Sequence, residues 1–158
     1  DAKERAIVAY EESDGISGYN NTLEKDAMFG LLLAIEMMAV TDKNIGEYLR
    51  ELEEEFGAFF PSRAGVEVDR SLAGKILSEK LCSLKSTLAI GNKMSNGKEI
   101  KNLITVDGIK VVLDDDSWFL IRPSGTEPKV RFYVETRSPE NLDDMICIAE
   151  GLTRDALA

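Results

Sequence analysis

The sequence predicts an α+β domain, with helices on a small antiparallel sheet, preceded by the end of an α/β domain. Three observations carry this prediction. Residues 103–113 contain two apolar runs joined by Asp107-Gly108, a pair typical of a β-hairpin. Polar and apolar residues alternate over 130–135, which predicts another strand. Residues 23–40 are apolar on almost every side, which is typical of a helix inside a larger structure.

The chain begins with elements that belong to the α/β part. Residues 6–10 predict a short buried strand, and residues 11–21 form a polar loop that contains glycines. The apolar helix over 23–40 follows, and Asn21 or Thr22 is its predicted N-cap. These elements are too few to cover that helix, so we expect the preceding strands of its domain to be missing from the chain.

The second helix is defined by its ends. Asn44 and Glu47 form a predicted capping box at its start, and Gly57 ends it. An apolar stripe with i, i+3, i+4 and i+7 spacing runs between these ends. Residues 58–65 include a proline and are predicted to link the two parts of the chain.

The second part of the chain predicts the order β-α-β-β-β-α. A possible strand over 66–68 precedes a helix that Ser71 caps and that extends to about Leu84. The hairpin follows, then the strand that contains Trp118, and then the alternating strand. A final helix begins after Ser138, which is followed by a proline at the first helical position.

The composition excludes several classes of function. A formal net charge of −10 over 158 residues argues against nucleic acid or an anionic membrane as a partner. The chain has no histidine, which is the commonest general base and metal ligand. Cys82 and Cys147 show no spacing typical of a disulfide framework or a zinc site. We therefore expect a cytoplasmic protein with reduced thiols.

One loop concentrates the groups that bind a phosphate. Residues 122–131 contain three cations, two hydroxyls and a glycine, which are Arg122, Lys129, Arg131, Ser124, Thr126 and Gly125. The planar guanidinium of arginine binds phosphate oxygens in pairs, and a glycine lets the backbone approach a ligand closely. The alternative is an ordinary turn with incidental charges, and the arginines at both ends favour phosphate binding over it.

Two acidic segments each allow a functional and a simpler interpretation. Residues 11–13, Glu-Glu-Ser, follow a strand end, and a carboxylate with a hydroxyl suits vicinal sugar hydroxyls. By itself this segment is better explained as an ordinary acidic loop at a strand end. Residues 114–116 are three consecutive aspartates, for which a solvated turn is favoured over a metal site, because neighbouring carboxylates in a short turn rarely converge.

These loops resemble those of a known family. Residues 122–131, Arg-Pro-Ser-Gly-Thr-Glu-Pro-Lys-Val-Arg, closely resemble the phosphate-binding loop of the α-D-phosphohexomutases, the phosphoglucomutase/phosphomannomutase superfamily. Residues 11–15, Glu-Glu-Ser-Asp-Gly, are similar to the sugar-binding loop of that family, and residues 24–27 are similar to the segment after it. The two motifs occur in the family's order, and the resemblance extends over essentially the whole chain.

The resemblance implies a four-domain enzyme that interconverts hexose 1-phosphate and 6-phosphate through a bisphosphorylated intermediate. Residues 1–62 would be the end of domain 3, and residues 63–158 would be domain 4. The phosphoserine of domain 1 and the Mg²⁺ site of domain 2 would lie outside this chain, which would therefore hold no catalytic residue and no metal. The implied sugar-binding residues are Glu11, Ser13 and Lys25. The implied phosphate-binding residues are Arg122, Ser124, Gly125, Thr126 and Arg131.

The same resemblance implies a phosphorylated hexose as the partner, with the 158-residue chain inactive alone. Tyr10 and Asp14 depart from the residues common in the family, which leaves the choice of hexose or pentose open. The alternative function is a stand-alone, non-catalytic phosphosugar-binding module. Self-association through the apolar helix over 23–40 is a further expectation.

Overall fold

The computed structural model describes residues 6–11, 15–22, 24–72, 74–125 and 127–158. The chain divides into two compact units, Asp1–Phe56 and Gly57–Ala158. The boundary that the sequence predicts, between residues 62 and 63, falls inside a strand of the second unit. The first unit contains β1 (Val8–Tyr10), β2 (Ile16–Gly18), α1 (Ala27–Thr41) and α2 (Ile45–Phe56).

The strands of the first unit form a two-stranded antiparallel hairpin, in which Ala9 pairs with Ser17. Part of the stretch predicted as a loop over 11–21 is therefore strand β2. The prediction that the first strand is buried is wrong, because Val8 is 40% exposed and Tyr10 is 85% exposed. Among the described residues β1 pairs only with β2. A lone hairpin leaves its apolar side chains open to water.

Helix α1 begins later than the sequence predicts. Its N-cap is Asp26, whose Oδ1 accepts hydrogen bonds from the backbone N–H groups of Met28 (3.0 Å) and Phe29 (3.1 Å). The predicted caps Asn21 and Thr22 are wrong, because a carboxylate that accepts two N–H groups fixes the helix start at Ala27. Asn21 instead donates its side-chain amide to Asp26 Oδ2 at 3.0 Å.

No residue of α1 is buried, although the helix is apolar along its length. Its large exposed apolar side chains are Met28, Leu31, Leu32, Ile35 and Val40. A helix this apolar is normally buried against other elements. The described residues of the first unit do not bury it. Self-association through this helix stays a prediction.

Helix α2 follows its sequence signals. The side chain of Asn44 accepts a hydrogen bond from the N–H of Glu47 at 3.0 Å, and the carboxylate of Glu47 accepts one from the N–H of Asn44 at 2.9 Å. Gly57 follows the helix with a φ of 81°, a conformation that glycine adopts without strain. The predicted capping box and the predicted stop are both confirmed.

The second unit is an α+β domain, as the sequence predicts. Its elements are β3 (Phe60–Glu67), α3 (Lys75–Leu81), α4 (Leu84–Thr87), β4 (Ile100–Ile104), β5 (Ile109–Leu113), β6 (Trp118–Pro123), β7 (Lys129–Thr136) and α5 (Leu142–Leu157), with short 3-10 turns at Arg70–Leu72 and Pro139–Asn141. The strand order is β3-β7-β6-β5-β4, and every neighbouring pair is antiparallel. The sheet has five strands. The sequence signals name five as well, although the predicted order β-α-β-β-β-α contains only four.

Strand β3 corrects the prediction of a linker over 58–65. It pairs with β7 over its whole length, from Phe60 opposite Thr136 to Glu67 opposite Lys129. The proline at position 61 is tolerated because β3 is an edge strand of the sheet.

The core of the second unit lies between the sheet and its helices. Phe119, Ile121 and Phe132 from the sheet pack in one cluster with Leu77 of α3 and Met145 of α5, and all five are at most 1% exposed. Strand residues alternate between the two faces, so the residues next to these core positions point away from the helices. Within the part of the chain that the structure describes, no helix is long and apolar enough to cross a membrane.

Candidate phosphate-binding site

The predicted phosphate loop connects β6 to β7, two adjacent strands of the sheet. The N–H of Ser124 donates to the carbonyl of Lys129 at 2.8 Å, and the N–H of Lys129 donates to the carbonyl of Glu127 at 2.8 Å. The hydroxyl of Ser124 accepts a hydrogen bond from the N–H of Glu127 at 3.3 Å. Ser124 is buried. The loop is thus closed by its own backbone, with the Ser124 hydroxyl inside it.

The two arginines of the motif face each other across β6 and β7. Arg122 and Arg131 are Cα partners in the antiparallel register, which puts their side chains on the same face. This is the face opposite the core, because their neighbours Ile121 and Phe132 are buried under the helices. The arginine side chains are 40% and 47% exposed. The fold therefore presents two guanidinium groups side by side at the loop.

Each arginine is paired with a carboxylate. Nη2 of Arg122 lies 3.1 Å from Oδ2 of Asp107, and Nη2 of Arg131 lies 2.8 Å from Oε2 of Glu127. Hydrogen bonds with Glu127 and then with Tyr133 raise the pKa of the Arg131 guanidinium above its usual range. Two like charges opposite each other would be unfavourable alone, and these carboxylates offset that repulsion.

Asp107 reaches Arg122 from the β4–β5 hairpin turn. Gly108, the next residue, has a φ of 88°. A Cβ atom at Gly108 would lie 2.5 Å from the carbonyl oxygen of Ile121 and 3.3 Å from the Cα of Arg122. The turn therefore presses directly against β6, and only glycine allows this approach. The predicted Asp-Gly hairpin is confirmed, and it also contributes a charge to the loop.

Three further positions of the motif are Gly125, Thr126 and Lys129. Among the described residues, a Cβ atom at Gly125 would meet no atom within 4 Å, so their packing does not require glycine there. Thr126 lies outside the described residues. Lys129 lies over β3, where its Cε would be 3.0 Å from a Cβ atom at Gly65. The absence of a side chain at Gly65 thus leaves room for this third cation.

The predicted sugar-binding residues lie in the first unit. Lys25 Nζ donates to Oε1 of Glu11 at 2.6 Å, and the side chains are 61% and 39% exposed. The N–H of Glu11 donates to the carbonyl of Gly15 at 3.0 Å, which closes the hairpin between β1 and β2. A Cβ atom at Gly15 would lie 2.2 Å from Cδ of Lys25, so glycine makes room for the lysine. Ser13 lies outside the described residues.

The three consecutive aspartates do not form a metal site. Asp115 accepts hydrogen bonds from Lys98 Nζ and from Ser117 Oγ, and Asp116 is paired with Lys101 at 2.6 Å. Among the described residues there is no group of three Asp, Glu, Cys or His side chains that could hold a metal ion. Because lysines are paired with Asp115 and Asp116, the turn does not fit Mg²⁺, and we assign it no role in the chemistry.

Sequence reasoning missed Asp107, Glu127 and Tyr133 as partners of the two arginines. Glu127 lies inside the motif and was open to such an interpretation. Asp107 was recognised only as a turn residue, since the packing of that turn on β6 is set by tertiary structure. Tyr133 is two positions after Arg131 in a strand, which indicates that the two share a face but not that they form a hydrogen bond.

Comparison with known proteins identifies the family. The model of the phosphoglucomutase/phosphomannomutase C-terminal domain matches residues 79–146, and that of the family's alpha/beta/alpha domain III matches residues 2–56. Together these ranges include most of the chain and agree with its two compact units. The chain belongs to the phosphoglucomutase/phosphomannomutase superfamily.

Similar proteins are mutases with several sugar substrates in their names. A probable phosphoglucosamine mutase of Pyrococcus furiosus is 31% identical over 135 residues, which are 85% of this chain and 26% of that protein. A phosphopentomutase of Thermococcus kodakarensis is 31% identical over 101 residues, which are 64% of this chain and 21% of that protein. The chain thus spans about a quarter of the length of these relatives.

A solved structure shares the fold. The crystal structure of a phosphoglucomutase/phosphomannomutase family protein from Burkholderia thailandensis superimposes with a TM-score of 0.63 at 18% identity. The superposition covers 96% of this chain and 29% of that protein. The α+β architecture of the second unit is therefore a fold already found in this family.

Proposed function

We propose that this chain supplies the sugar- and phosphate-binding loops of a phosphohexomutase that interconverts hexose 1-phosphate and 6-phosphate through a bisphosphorylated intermediate. The observation that supports this most directly is the cross-strand pair Arg122–Arg131 beside the closed loop at Ser124. None of the 158 residues is assigned to the phosphoryl transfer itself. In this proposal the phosphoserine and the Mg²⁺ site belong to other parts of the enzyme.

The second unit would hold the phosphate group that is not reacting. The guanidinium groups of Arg122 and Arg131 point to one side of the sheet, where each can donate two parallel hydrogen bonds to phosphate oxygens. The hydroxyl of Ser124 and the backbone at Gly125 would contribute further donors from the loop, together with Thr126. A dianionic phosphate would replace the carboxylates as the counter-ion of the arginines.

The first unit would hold the sugar. Glu11 is the acceptor for two neighbouring hydroxyl groups, because a carboxylate accepts several hydrogen bonds. Lys25 holds the Glu11 carboxylate at 2.6 Å, so the contribution of Lys25 is mainly to position that carboxylate. Ser13 would add a hydroxyl to the sugar-binding groups.

Binding of this kind accelerates the reaction by orientation. Anchoring one phosphate and the sugar ring fixes where the other end of the substrate lies, which replaces a bimolecular encounter by a positioned one. The ligand must then leave the loop and return with its ends exchanged. A site that recognises the phosphate rather than the sugar carbon that carries it is suited to both orientations.

The proposal is tested by calorimetric titration of the 158-residue chain with glucose 1-phosphate, glucose 1,6-bisphosphate and inorganic phosphate. Arg122→Ala is expected to weaken binding roughly tenfold or more, since a hydrogen bond to a charged group contributes about 1.5–3 kcal/mol. The matched control is Arg154→Ala, which removes an exposed arginine of α5 that is paired with Glu150 at 2.5 Å. Equal affinities of the two variants would contradict the assignment of the loop.

A mutase assay on the same chain tests whether the phosphoryl transfer depends on other parts of the enzyme. No turnover of glucose 1-phosphate is expected, even with glucose 1,6-bisphosphate and Mg²⁺ present. Measurable turnover would show that the 158 residues contain the phosphoryl donor, and the assignment of chemistry to other parts of the enzyme would be wrong.

A further inference from the structure

Asp107 is a carboxylate at a site that is proposed to bind an anion. It does not belong to the phosphate loop, since it lies in the turn between β4 and β5, some fifteen residues before Arg122 in the chain. Its Oδ2 is nevertheless 3.1 Å from Nη2 of Arg122. The hairpin therefore delivers a negative charge to the guanidinium that would hold the phosphate.

The hairpin turn sets the backbone position of Asp107. The turn lies against β6 because Gly108, at a φ of 88°, lacks the Cβ atom that would collide with the carbonyl of Ile121. Pairing between Lys110 of β5 and Leu120 of β6 continues the same contact. The backbone of Asp107 thus lies beside Arg122 as part of the sheet architecture.

The ion pair is weak enough for a ligand to displace it. The side chains of Arg122 and Asp107 are 40% and 70% exposed, and solvent screens such pairs strongly. A phosphate dianion has twice the charge of the carboxylate and more acceptor oxygens. Phosphate binding at Arg122 would then compete with Asp107 for the Nη2 group of the guanidinium.

We propose that Asp107 is an internal counter-ion that competes with the phosphate of the ligand for Arg122 and so lowers the affinity of the site. This inference rests on the proposed function of the loop. Its consequence is kinetic as well as thermodynamic, because a ligand that must leave and return with exchanged ends benefits from a weaker hold. Asp107 is then a residue that sets phosphate affinity from outside the motif.

The test uses Asp107→Asn in the 158-residue chain, with inorganic phosphate and glucose 6-phosphate as ligands in an NMR or calorimetric titration. The asparagine keeps the shape and a hydrogen-bond acceptor but removes the charge. The expected result is a dissociation constant about two- to fivefold lower than that of the wild type, the size of effect that exposed ion pairs support.

Asp116→Asn is the matched control. Asp116 also lies in a turn of this sheet, is paired with Lys101 at 2.6 Å, and has a φ of 64°, which asparagine tolerates. The change in net charge is identical in the two variants. A gain in affinity confined to Asp107→Asn supports competition at Arg122, whereas an equal gain in both variants shows a general field effect and overturns the proposal.

A double variant separates this inference from the proposed function. In the Arg122→Ala background, Asp107→Asn is expected to give no gain, because the group for which the carboxylate competes is absent. A gain that persists there overturns the inference. Weaker or unchanged binding in Asp107→Asn, with binding still weakened in Arg122→Ala, overturns the inference and leaves the proposed function intact. Absence of binding in the wild type and in Asp107→Asn overturns both.

Discussion

The two units of the chain both contain helices with apolar side chains, but these side chains are buried only in the second unit. In the second unit, α3 buries Leu77 and Leu81, and α5 buries Met145 and Ala149. In the first unit, α1 is the more uniformly apolar helix, yet none of its residues is buried. The difference teaches that apolar composition does not bury a helix by itself. Burial requires a facing layer, and the five-stranded sheet supplies one only in the second unit.

Two leucine substitutions, one in a buried helix and one in the exposed helix α1, test this difference. The buried one has the largest expected effect. Leu77→Ala in α3 should lower the free energy of unfolding of the second unit by about 2–5 kcal/mol, because the fully buried side chain leaves a cavity. Chemical denaturation followed by the fluorescence of Trp118 measures this, since that residue is the only tryptophan of the chain and lies in the second unit. A loss below 1 kcal/mol would contradict the assigned core.

Glycines that pack closely in the two units give the next contrast. Gly108→Ala places its Cβ against the backbone carbonyl of Ile121 at a positive φ, so we expect a loss of about 1–3 kcal/mol in the second unit. Gly18→Ala in the first unit meets ring atoms of Phe29, a side chain that can turn aside. Denaturation of each variant measures the difference. A larger loss for Gly18→Ala would show that the first unit is the more rigidly packed.

Acid should act on the second unit through Asp115. Burial favours protonation of its carboxyl group, but hydrogen bonds from Lys98 and Ser117 outweigh that effect, and the pKa falls below its ordinary value of 3.8. A depressed folded-state pKa stabilises the fold above 3.8, and this contribution is lost as the pH falls through the folded-state value. The stability difference between wild type and Asp115→Asn should therefore be largest near neutral pH and shrink in acid, as measured by denaturation at several pH values.

The contribution of Asp115 would be refuted by a difference that stays constant down to the lowest pH at which the second unit remains folded. Asp26→Asn serves as the comparison from the first unit. The pKa of Asp26 is also lowered, chiefly by the side-chain hydrogen bond from Asn21. Its substitution should change the helical circular dichroism of α1 and leave the fluorescence of Trp118 unchanged.

The smallest effect is expected for Leu32→Ala in α1. The side chain is 62% exposed, and leucine and alanine are both good helix formers, so the free energy of unfolding should change by less than about 0.5 kcal/mol. The same denaturation experiment, followed by circular dichroism, measures it. A loss as large as that of Leu77→Ala would show that α1 is covered in solution, by another copy of the chain or by some other partner.

Local signals in the sequence predicted much of the fold. The capping box of Asn44 and Glu47 and the Asp107-Gly108 hairpin depend on neighbouring residues, and both are present as predicted. The errors occurred where long-range pairing decides. Strand β3 contains a proline and a glycine and shows little strand propensity, and only its pairing with β7 makes it a strand. The start of α1 was misplaced because Asn21 and Thr22 directly precede the apolar run, whereas the residue that caps the helix is Asp26.

In the candidate site, too, local motifs could be predicted from the sequence and long-range contacts could not. The motif over residues 122–131 named the arginines, and the register of β6 and β7 places Arg122 opposite Arg131. The roles predicted for Glu11, Lys25 and the loop residues stay predictions. The pairing of Asp107 with Arg122 was beyond sequence reasoning, because it depends on how closely one turn approaches a strand.

The pairing of β3 with β7 also has a consequence for the order of folding. Strands β4 to β7 are consecutive and can pair as each one leaves the ribosome, whereas the partner of β3 lies some seventy residues later in the chain. Closing such a long loop slows strand pairing. We therefore expect β3, the first strand of its unit to be synthesised, to be the last to join the sheet, leaving its residues open to chaperones in the nascent chain.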